Sequence, residues 1–123
     1  MSISELDKGW IAGFIEAKGA FTKNRIKIRR ETKKGEKIYR YSNPTFYLVS
    51  KDISALEVAR ALLGLGKVKK HGPVFHLEIR RKAESIRLAE FLEGRFRSEF
   101  RIQQFEAWKQ HVLQWKSRGR GQV

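Results

Sequence analysis

The sequence predicts an α+β fold: one four-stranded antiparallel sheet with helices gathered on one face. Two observations carry that expectation. Two pairs of alternating apolar and polar segments each flank a turn, the first around Lys33-Lys34-Gly35 and the second around His71-Gly72-Pro73. Stretches with apolar residues at helical spacing precede, separate and follow the pairs, giving the order α-β-β-α-β-β-α-α and a layered arrangement.

The elements follow in order. Ser4 opens the first helix with a cap-type residue, and Glu5 and Asp7 suit the positive end of its dipole. The helix is expected to end after Lys18 at Gly19, a residue type favoured just past a helix. Ala20–Thr32 and Lys37–Ser50 form the long hairpin. A helix over 54–63 starts on a Ser54/Glu57 capping box and turns Leu56, Ala59, Leu62 and Leu63 inward. Lys67–Lys70 and Val74–Arg80 form the short hairpin. Ala83–Leu92 is helical up to Gly94, with Ile86, Leu88, Ala89 and Leu92 inward. The last helix runs from Glu99 to Trp115 and carries Ile102, Phe105, Trp108 and Val112. Trp10, Trp108 and Trp115 sit at helical positions that suit a core. No linker divides the chain, so residues 1–116 are expected to form one domain, and the basic tail 117–123 to fray.

Charge narrows the function. Lys and Arg number 27 against 13 Asp and Glu, leaving +14. A field of that size and sign points to a polyanion. A membrane is the weakest candidate, because no apolar run approaches the ~18 residues of a spanning helix. The opening MSISELDKGW has neither the basic nor the apolar region of a secretion signal, so the expected location is cytoplasm, nucleoid or organelle matrix. With no cysteine, disulfides and thiolate metal sites are excluded. His71, His76 and His111 lack metal-ligand spacing.

Alternation sorts the strands into faces. Arg25, Lys27 and Arg29 share one side and Ile26 and Ile28 the other. Phe46 and Leu48 oppose Tyr39, Tyr41, Asn43, Thr45 and Tyr47. Phe75, Leu77 and Ile79 oppose His76, Glu78 and Arg80. With helices over the apolar side, the outward side is a face of basic, aromatic and amide groups; Lys and Arg neutralise phosphates, while Arg, Asn and Glu read base edges. A solvated sheet face is ordinarily polar, but its one-signed charge favours nucleic acid. Phe21 and Ile26 cannot both point inward under strict period two, so a bulge between them is expected.

Gly9, Gly13 and Ala17 recur every four residues and form a stripe of small residues on the first helix. Two helical glycines cost roughly 1 kcal/mol each relative to alanine. A close-packed second backbone offsets that cost, either a second copy of the chain or the chain's own last helix.

The segment WIAGFIEAKG, Trp10–Gly19, resembles the signature of the LAGLIDADG homing endonucleases, whose nine-letter motif aligns with Ile11–Gly19 and is followed by the expected aromatic, Phe21. PTFYLVSKD, LLGLGKV, FHLEI and FEAWK, at 44–52, 62–68, 75–79 and 105–109, also look like family segments. The resemblance is to the single-motif, homodimeric type. It implies an αββαββα half-unit, motif helices paired across a two-fold axis through Gly9, Ala12, Gly13, Glu16 and Ala17, and two sheets on duplex DNA. A ten-residue strand spans roughly 33 Å and DNA rises about 3.4 Å per base pair, so a dimer would cover a pseudo-palindrome of about 20 pairs. The residues implied to contact DNA are Thr22, Asn24, Arg25, Lys27, Arg29, Arg40, Tyr41, Asn43, Tyr47, Lys69, His71, His76 and Arg80.

The same likeness implies Mg2+-dependent hydrolysis of both strands, with an acid at the motif's eighth position holding the metal. Here that position is Lys18, and an ammonium cannot ligate a cation. Glu16 lies about 200° round the helix from Lys18 and matches a structural position. Ser50 stands where the family commonly has glutamine; Arg101 and Lys51 match basic residues that order catalytic water. The expectation is a DNA-binding protein that does not cut and holds no metal. An RNA-binding splicing cofactor, acting on intron RNA, is the alternative, because some family members act that way and the SRGRG tail is basic.

Overall fold

A computed structural model describes residues 3–115. The expected tail 117–123 lies outside the described residues. Helix α1 (Glu5–Lys18) is capped by Ser4, whose hydroxyl accepts the Asp7 N–H at 3.1 Å. Its Ile11, Ala12 and Ile15 are buried. It stops at Gly19, though in extended backbone (φ −77°) rather than the left-handed conformation of a usual glycine cap. Close approach explains the glycine: a Cβ there would stand 2.7 Å from the Ile15 carbonyl oxygen and 3.0 Å from the Phe46 ring.

Strands β1 (Gly19–Thr32) and β2 (Gly35–Ser50) pair without interruption, from Gly19 opposite Leu48 to Thr32 opposite Gly35. The bulge expected between Phe21 and Ile26 is therefore absent. At the turn, Thr32 Oγ1 donates to the Gly35 carbonyl (2.6 Å) and accepts the Lys34 N–H (3.2 Å), while Gly35 takes the positive φ of 108°.

Helix α2 (Ile53–Leu63) begins one residue earlier than the sequence suggests. Asp52 caps it, its Oδ1 accepting the N–H groups of Ser54 and Ala55; that replaces the expected Ser54/Glu57 box, and the Ser54 hydroxyl donates to the same oxygen. These bonds hold the Asp52 carboxyl below its ordinary pKa, the Ser54 hydroxyl contributing most. Strands β3 (Lys67–His71) and β4 (Val74–Ile79) follow, then α3 (Lys82–Leu92) and α4 (Glu99–Leu113).

The sheet order is β1-β2-β4-β3, antiparallel throughout. Phe46, Leu48, Leu77 and Ile79 meet Ile11, Ile15, Leu56, Leu88, Phe105 and Trp108 in one core. Phe21 joins it, its ring centroid 5.2 Å from both Phe46 and Trp108. The Trp108 indole N–H donates to the Thr45 carbonyl at 3.0 Å, fixing α4 against β2. On α4 the inward stripe passes through Arg101, Gln104, Phe105, Trp108 and Val112, and Ile102, one position off that stripe, is 38% exposed rather than buried. Trp10 likewise leaves the core: it is 41% exposed and rests on Phe14, centroids 5.4 Å apart.

Candidate nucleic-acid interface

Residues opposite each other in an antiparallel ladder share a face. Phe21 opposes Phe46, and both point toward the helices, so they set the parity of the whole hairpin. Because the register never slips, Arg25, Lys27, Arg29 and Arg40 share the helix-side parity. The uncovered face carries Thr22, Asn24, Ile26, Ile28, Tyr39, Tyr41, Asn43 and Tyr47; Thr45 shares their parity but is buried. This reverses the expectation that Arg25, Lys27 and Arg29 stand on the open face. The helices stop short of them, however: no residue from 25 to 42 is buried, so the outer half of the hairpin meets solvent on both sides.

The second hairpin adds His71, Lys69 and Lys67 from β3, His76 and Glu78 from β4, and Arg80 just beyond it, all on the open face. The His71 and His76 rings stack at 4.5 Å, and Tyr47 lies 5.2 Å from His76, giving three rings in a row. Burial, then the charge of His71, push the His76 pKa below its ordinary value, and Glu78 opposes them. The Glu78 carboxylate pairs with Lys69 at 3.2 Å and Arg80 at 3.7 Å. Lys67, opposite Glu78, is an addition to the sequence-derived set; its signal was the alternation shared with Lys69.

At one end of the sheet stand three further residues, and a fourth is carried by the start of α4. β1 starts opposite Leu48, so Lys18, at the end of α1, and Ser50 and Lys51, at the end of β2, belong to the same edge of the molecule. Lys18 and Lys51 are exposed, and the Ser50 hydroxyl accepts the Asp52 N–H at 3.0 Å. Glu16 Oε2 accepts the N–H groups of Arg97 (2.9 Å) and Ser98 (2.6 Å), bringing the start of α4, and with it Arg101, to the last turn of α1. Arg101 itself donates to Gln104 at 2.9 Å. This set does not suit a magnesium ion. The residue at the helix end is a lysine, the nearest carboxylate on α1 is engaged by two N–H groups, and among the described residues no group of three or more His, Asp or Glu could hold a metal.

The outer face of α1 is bare. Gly9 and Gly13 are exposed, and a Cβ built on either meets nothing within 4 Å. The chain's own last helix therefore does not cover the stripe. Leu6, 84% exposed, and Trp10 flank it, and Ala17 is exposed beside it. Ala12, expected on this surface, is buried within the chain, and Glu16 is held by the N–H groups of Arg97 and Ser98 just before α4. Among the described residues no helix is long and apolar enough to cross a membrane.

An uncovered antiparallel sheet of basic, amide and aromatic side chains, with helices behind it, defines the class of fold, an open-faced α+β half-unit. Solved structures of homing endonucleases share it. The archaeal intron-encoded homing endonuclease I-Vdi141I, complexed with DNA, is 20% identical over 89% of this chain and 68% of that chain, with a TM-score of 0.65. The homing endonuclease I-TnaI is 24% identical over 92% of this chain and 74% of its own, TM-score 0.69. The LAGLIDADG meganuclease I-AabMI, bound to uncleaved DNA, is 20% identical over 86% of this chain but only 35% of its own, TM-score 0.70. The fold is thus the homing-endonuclease half-unit. No protein-family profile matches the sequence, and no curated protein sequence does.

Proposed function

We propose that the protein is a LAGLIDADG-type DNA-binding protein that grips a long pseudo-palindromic duplex as a homodimer and does not cut it. The observation that carries the binding is the open sheet face: on its four strands, cations, amides and aromatic rings stand on the side away from the core. Such a face supplies phosphate neutralisation from Lys and Arg together with base-edge donors and acceptors from Asn, Thr and Arg. The likeness to homing endonucleases solved on DNA supports the same reading. Dimerisation is supported by the bare stripe of α1, where two exposed glycines leave room for a second backbone.

Absence of cutting follows from Lys18. Hydrolysis of a phosphodiester by this family's route needs hard oxygen ligands at the helix end, and each protomer offers an ammonium there. Lys18 instead serves as a phosphate contact, two of them flanking the dimer axis. A second reading, intron-RNA binding, has one observation in its favour: the row formed by Tyr47, His76 and His71 suits unstacked bases.

The test is selection of bound duplexes from a randomised pool at about 150 mM salt, where purely electrostatic binding is suppressed. The expected outcome is a two-fold symmetric consensus of about 20 pairs. The pure protein should leave that duplex intact with Mg2+, and Lys18→Asp should gain divalent-metal-dependent cleavage of it. Cleavage by the unaltered chain overturns the non-cutting assignment. Failure to select any duplex, with tight binding to single-stranded or intron RNA at the same salt, overturns the DNA reading.

A further inference from the structure

Glu78 is, among the described residues, the one acid on the open face. Glu31 and Glu36 oppose each other across the first hairpin on the helix-side parity, and every other ionisable side chain on the open face is a cation, a histidine or a tyrosine. A carboxylate facing a polyanion weakens binding to any duplex, whatever its sequence. For a surface that needed only affinity, Glu78 would be a defect. Its setting argues otherwise. The side chain is only 14% exposed and is held from both sides, by Lys69 of β3 and by Arg80 at the end of β4, each approaching Oε1. Tyr47 and Lys67 stand opposite it on the two neighbouring strands.

The chemistry of the trio is that of base edges. A guanidinium matches the O6 and N7 acceptors of guanine, an ammonium can take the same atoms, and a carboxylate accepts from the N4 amino group of cytosine. Two ion pairs use part of a carboxylate's capacity, which is about four lone-pair sites, so Glu78 can hold its cations and still accept from a base. The carboxylate also restrains two long side chains that would otherwise lose entropy on docking.

We propose that Glu78 is the specificity-determining residue of the second hairpin: with Lys69 and Arg80 it reads a G·C-containing step in each half-site, and its charge penalises duplexes that lack that step. This rests on the DNA-binding reading above. The carboxylate is favourable where a cytosine amino group meets it and unfavourable where only acceptors or phosphate do, so it widens the gap between right and wrong sequences at some cost in overall affinity.

The test compares Glu78→Gln and Arg80→Lys with the unaltered chain on two probes: the duplex selected by the unaltered protein and a random-sequence duplex of equal length. Glu78→Gln keeps shape and removes charge. It should bind the random duplex several-fold more tightly and the selected duplex no more tightly, so that discrimination falls about tenfold or more. Repeating the selection with each variant should show Glu78→Gln and Arg80→Lys relaxing the same base pairs. Thermal unfolding of each variant checks that the sheet is intact, and Arg80→Lys carries the test if Glu78→Gln is unstable. Unchanged discrimination, or relaxation at unrelated positions, overturns the proposal while leaving the DNA reading standing. Absence of any consensus for the unaltered protein removes both.

Discussion

The first hairpin is one continuous ladder with two different halves. Near its base, Phe21, Phe46 and Leu48 lie under the helices, and Trp108 ties α4 to the Thr45 carbonyl. From 25 to 42 the same ladder continues with nothing buried on either side. That outer half carries eight Lys and Arg against Glu31 and Glu36. The base is held by burial of apolar surface. The outer half is held by backbone pairing and by the base to which it is fixed, and it meets solvent on both sides. A two-stranded ribbon is marginal by itself in water, so the order of the outer half depends on the base, while its cations add charge repulsion that a polyanion would relieve.

The largest expected effect tests the base. Phe46→Ala removes a fully buried ring that touches Phe21 and should lower stability by about 3–5 kcal/mol. Tyr39→Ala, in the outer half, should change it by less than about 0.5 kcal/mol. Urea unfolding measures both. Comparable losses would mean that the outer half is packed against something and would break the distinction.

A smaller effect tests the outer half. Lys27 opposes Arg40 in the ladder, and both are exposed. The double substitution Lys27→Ala, Arg40→Ala should leave the unfolding midpoint unchanged and weaken duplex binding. The slope of log affinity against log salt should shrink by about 0.9 for each phosphate that is no longer neutralised. An unchanged slope would show that side chains of the helix-side parity do not reach the backbone of DNA, leaving contact to Asn24, Asn43 and Tyr47 on the opposite face.

Those two faces show what was legible in the sequence and what was not. Element order, sheet and helix layers followed from periodicity, because long alternating segments and strong caps such as Ser4 are local signals. Parity is not local. It is set by one cluster, Phe21 on Phe46 and Trp108, and Ile26 and Ile28 argued against it because an apolar residue on an exposed ribbon looks like a core residue. On α1, Ile11 and Ile15 turn Ala12 inward and Trp10 outward, against the core position expected for Trp10 and the interface position that the resemblance implies for Ala12. The placement of Lys18 at the end of α1 and of Ser50 at the end of β2 was legible from the element boundaries. The bond from Glu16 to the start of α4 was not, since it joins positions 81 and 82 residues apart in the chain.

The smallest effect concerns the second hairpin, where titration separates the fold from the interface. His76 faces His71 and Lys69 on β3, Tyr47 on β2, and Glu78 and Arg80 along its own strand. Its folded pKa lies below the ordinary 6.5, burial being the main cause, so the unfolded chain binds more protons in that window. The stability it contributes is fully present above pH 6.5 and is lost as pH falls through the lowered folded value. Binding has the opposite sign. Phosphates favour the imidazolium, so complex formation takes up protons and affinity should rise as pH falls. Two surface charges of about 0.2–1 kcal/mol each correspond to roughly a two- to thirtyfold gain. Titration of duplex affinity against pH at fixed salt should show that gain, and the double substitution His71→Gln, His76→Gln should flatten it while making the free protein less sensitive to acid. A gain that survives the substitution would assign the proton uptake to groups outside this hairpin, and with it would weaken the case that the short hairpin, rather than the outer half of the long one, lies close to phosphate.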